Sequence, residues 1–342
     1  MTELSKATLH DTLASLQMGP ATTFRNLTLF ALRGNQILER DYVTLKEAVQ
    51  DGSVSVGEIS RGGSVSELLL KNKSKQPVLI LDGEELVGAK QNRTANITIL
   101  APAGKKTRIP VTCVEAGRWE YRSRSFAPSE QLHFARGRRT KMVAVTQSLG
   151  RSGTHEADQG EVWAGIADKA TAMRASAPTG AMSDVFEAHR GSVDDYVAAF
   201  WAQPGQTAAV FAIGDRIEGL ELFDCARTFC EMLPKLIRSY AIDAIERAES
   251  ETDDGGPVPG EASARAFMER LSAAEVEEYP AVGLGTEVRM KAPGVVAGGL
   301  VVAQRVVHLA AFAEEAAAAR RDPRSPGMER AQTRRTRLGR VR

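Results

Sequence analysis

Between Asn96 and Val114 two alternating apolar runs stand so close on either side of a turn that a helix has no room. Val78-Leu79-Ile80-Leu81, opened by Pro77 and closed by Asp82-Gly83, has the length and flanks of a buried strand. Asn96–Leu100 and Ile109–Val114 both alternate, are rich in β-branched residues, and flank Pro102-Ala103-Gly104-Lys105. That spacing predicts a β-hairpin, and with it a continuous antiparallel sheet over residues 78–115. In its second strand Ile109, Val111, Cys113 and Glu115 project to one face, and Thr112 and Val114 to the other. The polar segment Glu84–Arg93 is expected to be where the chain leaves the sheet.

The rest of the chain sets the fold class. Strands are predicted at Thr22–Leu32, Val54–Ile59, Thr207–Ile213, Glu287–Lys291, Leu300–Ala303 and Val306–His308, with Arg61-Gly62-Gly63 as a turn into a short amphipathic segment from Ser64 to Leu70. Helices are predicted at Leu4–Leu16, Glu161–Ser176, a segment capped by Ser192 and running to Phe200, Asp224–Glu249 interrupted near Pro234, and Glu261–Leu271. An alanine-rich helix is expected to lead into the C-terminal tail. Strands dominate the first 115 residues and helices the middle, so the expectation is an α+β protein: an antiparallel β-rich N-terminal part packed with a mixed helical and strand part. The division expected is 15–126, 127–315 and a tail at 316–342, with Asp253–Pro259 a flexible insert.

At 342 residues, with 43% hydrophobic and 25% charged, the chain has the balance of an ordinary globular protein. No apolar leader opens it and no apolar run reaches membrane-spanning length, so no membrane partner is expected. Cys113, Cys225 and Cys230 do not make a disulfide framework, which points to a reducing, cytoplasmic setting. The net charge is +1, yet Arg320–Arg342 holds nine arginines against Asp322 and Glu329, a net of +7. With almost no apolar residues that tail is expected to be disordered, either a solubilising end or an arm for nucleic acid or an acidic partner. A second basic stretch, Arg118–Arg151, carries eight cations against Glu120 and Glu130, interleaved with Trp119, Tyr121, Phe126 and Phe134.

Several chemistries are excluded by spacing. Gly83 and Gly88 are separated as in a P-loop, but Ala89 displaces Lys90 from its required position; Gly283-Leu284-Gly285 lacks the third glycine of a dinucleotide fingerprint. There is no H-E-x-x-H, no paired C-x-x-C and no G-x-S-x-G, so neither a metal site nor a cofactor is expected. What remains is a concentration of polar residues in two segments. Glu84, Glu85 and Glu115 are the candidate catalytic carboxylates, and Lys90, Gln91, Asn92, Arg93, Arg118 and Trp119 the candidate ligand-binding residues. A guanidinium clamps phosphate and an indole stacks on a base. Equally, the first segment reads as a turn held by ion pairs, and Trp119 as a plug at the core edge under Arg118. Cys113 reads as a small hydrophobe, His308 as a satisfied core histidine, and Asp158 as the cap of the helix containing Trp163.

Residues 77–126 contain, in order, a strand, Gly83-Glu84-Glu85-Leu86-Val87-Gly88-Ala89-Lys90-Gln91-Asn92-Arg93, a predicted hairpin, and Cys113-Val114-Glu115-Ala116-Gly117-Arg118-Trp119. This order resembles the family named for its association with ADP-ribosylglycohydrolases and rhodanese-phosphatase proteins. Weaker similarity follows at Asp158-Gln159-Gly160 through Trp163 and at Gly283-Leu284-Gly285, so the resemblance covers roughly 15–312. It implies a link to ADP-ribose or NAD-derived nucleotide metabolism and carries no catalytic residues with it. Two readings stand together: a protein binding an ADP-ribose-like small molecule, and a non-catalytic, self-associating homo-oligomer that holds polyanions through its basic stretch and tail.

Overall fold

The structure, a computed structural model, describes residues 2–60, 64–250 and 259–314. It opens with α1 (Thr2–Ala14) and the hairpin β1 (Gln17–Phe24) and β2 (Leu27–Arg33). Next come β3 (Val43–Thr44), α2 (Leu45–Gln50), β4 (Val54–Glu58), β5 (Glu67–Asn72), β6 (Val78–Ile80), β7 (Glu84–Gly88), β8 (Arg93–Ala95), β9 (Ile99–Ala101), β10 (Lys106–Cys113) and β11 (Phe126–Leu132). Four helices, α3 (Ala135–Ser152), α4 (Gln159–Ala172), α5 (Met182–Ala188) and α6 (Arg190–Ala199), lead to β12 (Ala208–Ile213) and β13 (Arg216–Phe223). The described chain ends with α7 (Ala226–Ser250), α8 (Glu261–Ser272) and the meander β14 (Glu275–Pro280), β15 (Thr286–Ala292), β16 (Val295–Val302) and β17 (Arg305–Ala313).

These strands make three sheets. An antiparallel eight-stranded sheet runs β1-β2-β12-β13-β17-β16-β15-β14, a closed barrel runs β10-β5-β4-β11-β7-β8, and β3-β6-β9 form a small sheet. The large sheet is covered on both faces at its centre, which is why β12 is a continuous apolar run. In β12, Ala208, Val210 and Ala212 pack toward α1 and α8, while Ala209, Phe211 and Ile213 pack toward α7. Phe211 stacks on Tyr240 of α7 with ring centroids 4.1 Å apart. The barrel interior is filled by Val54, Val56, Leu68, Leu70, Leu86, Ala95, Ile109, Val111 and Phe126. The class is therefore α+β. Its first hairpin is built into the large sheet, because β2 pairs with β12 over Leu27–Leu32.

Several local expectations need correction, the first being the single strand at Thr22–Leu32, which a turn at Arg25–Asn26 splits into β1 and β2. Asn96–Leu100 and Ile109–Val114 do not pair as a hairpin: β9 pairs with β6 in the small sheet, whereas β10 pairs with β8 and β5 in the barrel. Residues 78–115 are free of helix and pair antiparallel among themselves, but they are divided between two sheets, and β6 also pairs in parallel with β3. Both sets of residues lie in buried strand segments, and alternation does not specify a partner. Ser192 caps nothing; His189 precedes α6, and the unpredicted α5 stands before it. Finally, α7 runs unbroken through Pro234. Pro234 and Cys230 are exposed, so the carbonyl that the ring leaves without its N–H partner lies on the solvent side. The unpredicted β13 and β14 are interrupted by Glu218 and Glu221 and by Glu277 and Glu278, which masked their strand pattern. The Arg61-Gly62-Gly63 turn, most of the Asp253–Pro259 insert, the bulk of the expected alanine-rich helix and the Arg320–Arg342 tail lie outside the described residues, and residues 309–313 before that tail are strand.

Candidate functional site

The segment from Glu84 to Arg93 is strand, turn and strand, not a solvated loop, and all but Val87 and Lys90 are buried. Its glycines answer to geometry. Gly83 and Gly88 adopt φ of +83° and +137°, and a Cβ at Gly88 would stand 2.5 Å from the Ser125 carbonyl oxygen. Ala89, also left-handed at φ 39°, completes the turn that puts Lys90 at the surface.

Strand alternation sends Glu84 and Glu85 different ways. Glu84 accepts a hydrogen bond from the Lys235 ammonium of α7 at 2.7 Å and from the Leu81 backbone N–H. Glu85 lies opposite Thr94 and accepts from the Ser129 hydroxyl at 2.8 Å, and its Oε1 finds no donor among the described residues. Burial pushes the Glu85 carboxyl up to about 7, with the Glu115 charge adding to the effect over the opposing Ser129 hydrogen bond. The two adjacent carboxylates are held by different elements, Glu84 by α7 and Glu85 by β11.

Gln91, Asn92, Glu115 and Arg118 do come together. Arg118 donates from Nε to Glu115 Oε1 at 2.9 Å and from Nη2 to Glu115 Oε2 at 2.7 Å and Asn92 Oδ1 at 3.1 Å, while Nη1 donates to the carbonyls of Ala89 and Glu120, both at 2.8 Å. Glu115 also accepts from the Asn92 backbone N–H and the Thr179 hydroxyl, and Gln91 Nε2 donates to the Glu115 carbonyl at 2.9 Å. Burial alone would raise the Glu115 pKa; these hydrogen bonds, Arg118 first, hold it below the usual carboxylate range. Each donor of Arg118 is engaged, so this arginine clamps one motif segment to the other.

Arg93 is different. Paired with Cys113 across β8 and β10, it points into the barrel end and is fully buried. Its Nη1 donates to Gln91 Oε1 at 3.0 Å, but Nε and Nη2 find no acceptor among the described residues. Burial lowers its pKa, against the opposing charges of Cys113 and Glu58. The Trp119 ring covers it, 5.7 Å from the guanidinium carbon, and the Lys90 ammonium lies 5.0 Å from the Trp119 ring and 5.3 Å from that of Tyr121. Trp119 and Tyr121 are 46% and 54% exposed, so the barrel end presents two aromatic faces to solvent above two cations, flanked by exposed Arg122 and Arg124. Cys113 behaves as a buried hydrophobe: burial raises its thiol pKa, and Gln159 at the start of α4 seals its backbone by accepting from its N–H and donating to its carbonyl, each at 2.8 Å.

A model of the ARG and Rhodanese-Phosphatase-superfamily-associated Protein domain, ARPP-1, matches residues 15–312. The chain belongs to the ARPP-1 family. That family is named for its association with ADP-ribosylglycohydrolase and rhodanese-phosphatase proteins. No curated protein and no solved structure matches the chain significantly. The match takes in both motif segments of this ARPP-1 chain, Asp158, which caps α4 by accepting from the Glu161 N–H at 3.0 Å, and Gly283, where a Cβ would meet the Leu100 carbonyl oxygen at 2.2 Å.

Sequence reasoning missed a second polar cluster, between the barrel and the large sheet. The fully buried Arg138 of α3 grips Glu221 of β13 at 2.6 and 3.2 Å; Lys141 lies 2.9 Å from Asp82, and His308 bridges Thr98 and Glu221 at 2.8 and 3.3 Å. Burial would raise the Asp82 pKa, but Lys141 and Arg138 hold it low. Arg138 and Lys141 belong to the basic stretch read as a polyanion surface, and both are consumed inside the fold. Among the described residues no group of three or more His, Cys, Asp or Glu has metal-binding geometry, and no helix is long and apolar enough to cross a membrane.

Proposed function

We propose that the barrel end built by Arg93, Lys90, Trp119 and Tyr121 binds an anionic, nucleotide-like small molecule of the ADP-ribose or NAD-derived class. The supporting observation is Arg93: a fully buried guanidinium with two nitrogens lacking acceptors among the described residues, beneath exposed aromatic rings. A charge held this way is costly unless something accepts its hydrogen bonds, and phosphate oxygens do so in bidentate fashion. Trp119 and Tyr121 supply faces for a base, and Lys90 a second charge near a diphosphate. Gln91, Asn92, Glu115 and Arg118 act as the scaffold that holds both segments. The family's association with ADP-ribose systems points the same way.

Calorimetric titration with ADP-ribose, NAD and a short RNA, followed in parallel by tryptophan fluorescence, tests this. Binding of ADP-ribose or NAD should quench fluorescence in the native protein and not in Trp119→Phe, and Arg93→Gln should weaken it at least about tenfold, the scale of one charged hydrogen-bond partner. No binding of either nucleotide, or equal binding by Arg93→Gln, would sink the proposal. A preference for RNA would favour the polyanion-holding reading instead.

A further inference from the structure

A cleft of about 360 Å³ opens between α1, the segment around Gln36, the end of β13 and the β16–β17 turn, with Asp224, Arg305, Thr207, Thr12, Leu222 and Val306 among its walls. That volume is in the range of small-ligand sites. None of the motif residues discussed above contributes to it.

Asp224 is 5% exposed, and its carboxyl is half-used. Oδ1 accepts from the Tyr42 hydroxyl at 2.6 Å, and that hydroxyl is fixed in turn by Thr228 at 2.9 Å; Oδ2 accepts no hydrogen bond among the described residues. Arg305 Nη1 stands 3.5 Å from Oδ2, beyond a good hydrogen bond, while its Nη2 is held outside by Asp41 at 2.6 Å. The pair is set from below by Tyr42 and from outside by Asp41, so an acceptor and a donor sit side by side in the cleft wall, the acceptor just beneath its surface. The turn that carries Arg305 is strained: Ala303 and Gln304 both adopt left-handed φ, 48° and 59°, where neither is glycine.

The charge balance selects among guests. Asp11 and Asp224 line the cleft against Arg305 alone, a net of −1, which disfavours a phosphate. The amides of Asn35 and Gln36, the hydroxyls of Thr12 and Thr207, which already bond Thr8 and Gly34, and apolar Leu16, Leu222 and Val306 instead make a mixed polar and apolar lining suited to a neutral polyhydroxyl ring. One ring hydroxyl would donate to Asp224 Oδ2, its neighbour would accept from Arg305 Nη1, and the ring's C–H face would lie on the apolar wall. We propose that this cleft binds an unphosphorylated sugar through a vicinal diol gripped by Asp224 and Arg305.

Ligand-observed saturation-transfer NMR on the full chain, with D-ribose as the probe and inorganic phosphate and methylammonium as competitors, tests it. Ribose should receive saturation from the native protein, Asp224→Asn should abolish it, and Arg305→Gln at the cleft rim should weaken it about tenfold or more with the melting temperature retained. Arg305→Gln keeps the test decisive should Asp224→Asn fail to fold. Arg93→Gln should leave ribose binding intact, which separates this site from the barrel end. Absence of ribose binding in the native protein, equal binding in Arg305→Gln, loss in Arg93→Gln, or displacement by phosphate or methylammonium would each overturn the proposal.

Discussion

Arg93 and Arg118 belong to the two halves of one motif and are both buried, yet their surroundings are opposite. Arg118 has a carboxylate, an amide and backbone carbonyls around its whole fork, whereas Arg93 has one amide oxygen and two nitrogens without an acceptor among the described residues. Removing the first leaves Glu115 buried without its partner, an effect on the order of 3–5 kcal/mol. Removing the second takes away a buried charge with two nitrogens lacking acceptors among the described residues. Chemical denaturation should therefore show Arg118→Ala losing at least about 3 kcal/mol and Arg93→Gln unchanged or stabilised; the reverse ranking would overturn these assignments. Sequence alone left the two arginines equivalent, because the types of neighbour are legible along the chain and their saturation is not.

The helix α3 shows how an element can form against its local preferences. It has no side-chain N-cap and no acidic residue in its first turn, and Arg136, Arg138, Arg139 and Lys141 crowd the end where the macrodipole is positive. Partners from elsewhere offset this: Asp243 of α7 accepts the Arg136 backbone N–H at 2.8 Å, Glu221 takes Arg138, and Asp82 takes Lys141. Gly137 is required for the approach, since a Cβ there would stand 1.8 Å from His133 Cε1. Helix propensity favours alanine over glycine by about 1 kcal/mol, but the clash decides the sign. Gly137→Ala should lower stability by roughly 2 kcal/mol or more through overpacking, read as a fall in melting temperature; a rise would show that His133 moves aside freely.

At the scale of the whole molecule, buried charges joining barrel, helices and large sheet make stability depend on pH from both sides. Glu115, Asp82, Glu221 and Glu287 have carboxyl pKa values held low in the fold, and burial puts His133 at about 3. Groups whose pKa folding lowers contribute stability above their unfolded pKa and lose it as pH falls, so His133 loses its contribution from about 6.5 downward and the carboxylates from about 4.5 downward. Glu85, raised to about 7, runs oppositely: its contribution is complete below about 4.5 and is lost as pH climbs to about 7. Denaturation midpoints should fall steeply below about pH 5, and Glu85→Gln should stabilise the protein at pH 8 by up to roughly 3 kcal/mol while matching it near pH 4. A Glu85→Gln variant no more stable than the native protein at pH 8 would contradict that burial. The α+β class, the buried strand at Val78, the strand character of β10, the cap at Asp158 and the family were legible from the residues, because those depend on local periodicity, turn chemistry and motif order. Tertiary structure alone decided that β9 and β10 enter different sheets, that Glu84 and Glu85 part company, and that Arg138 meets Glu221 across 83 residues of chain. Alternation fixes which side of a strand is buried but not which strand lies beside it, and a charge's partner is set by where the chain returns in space.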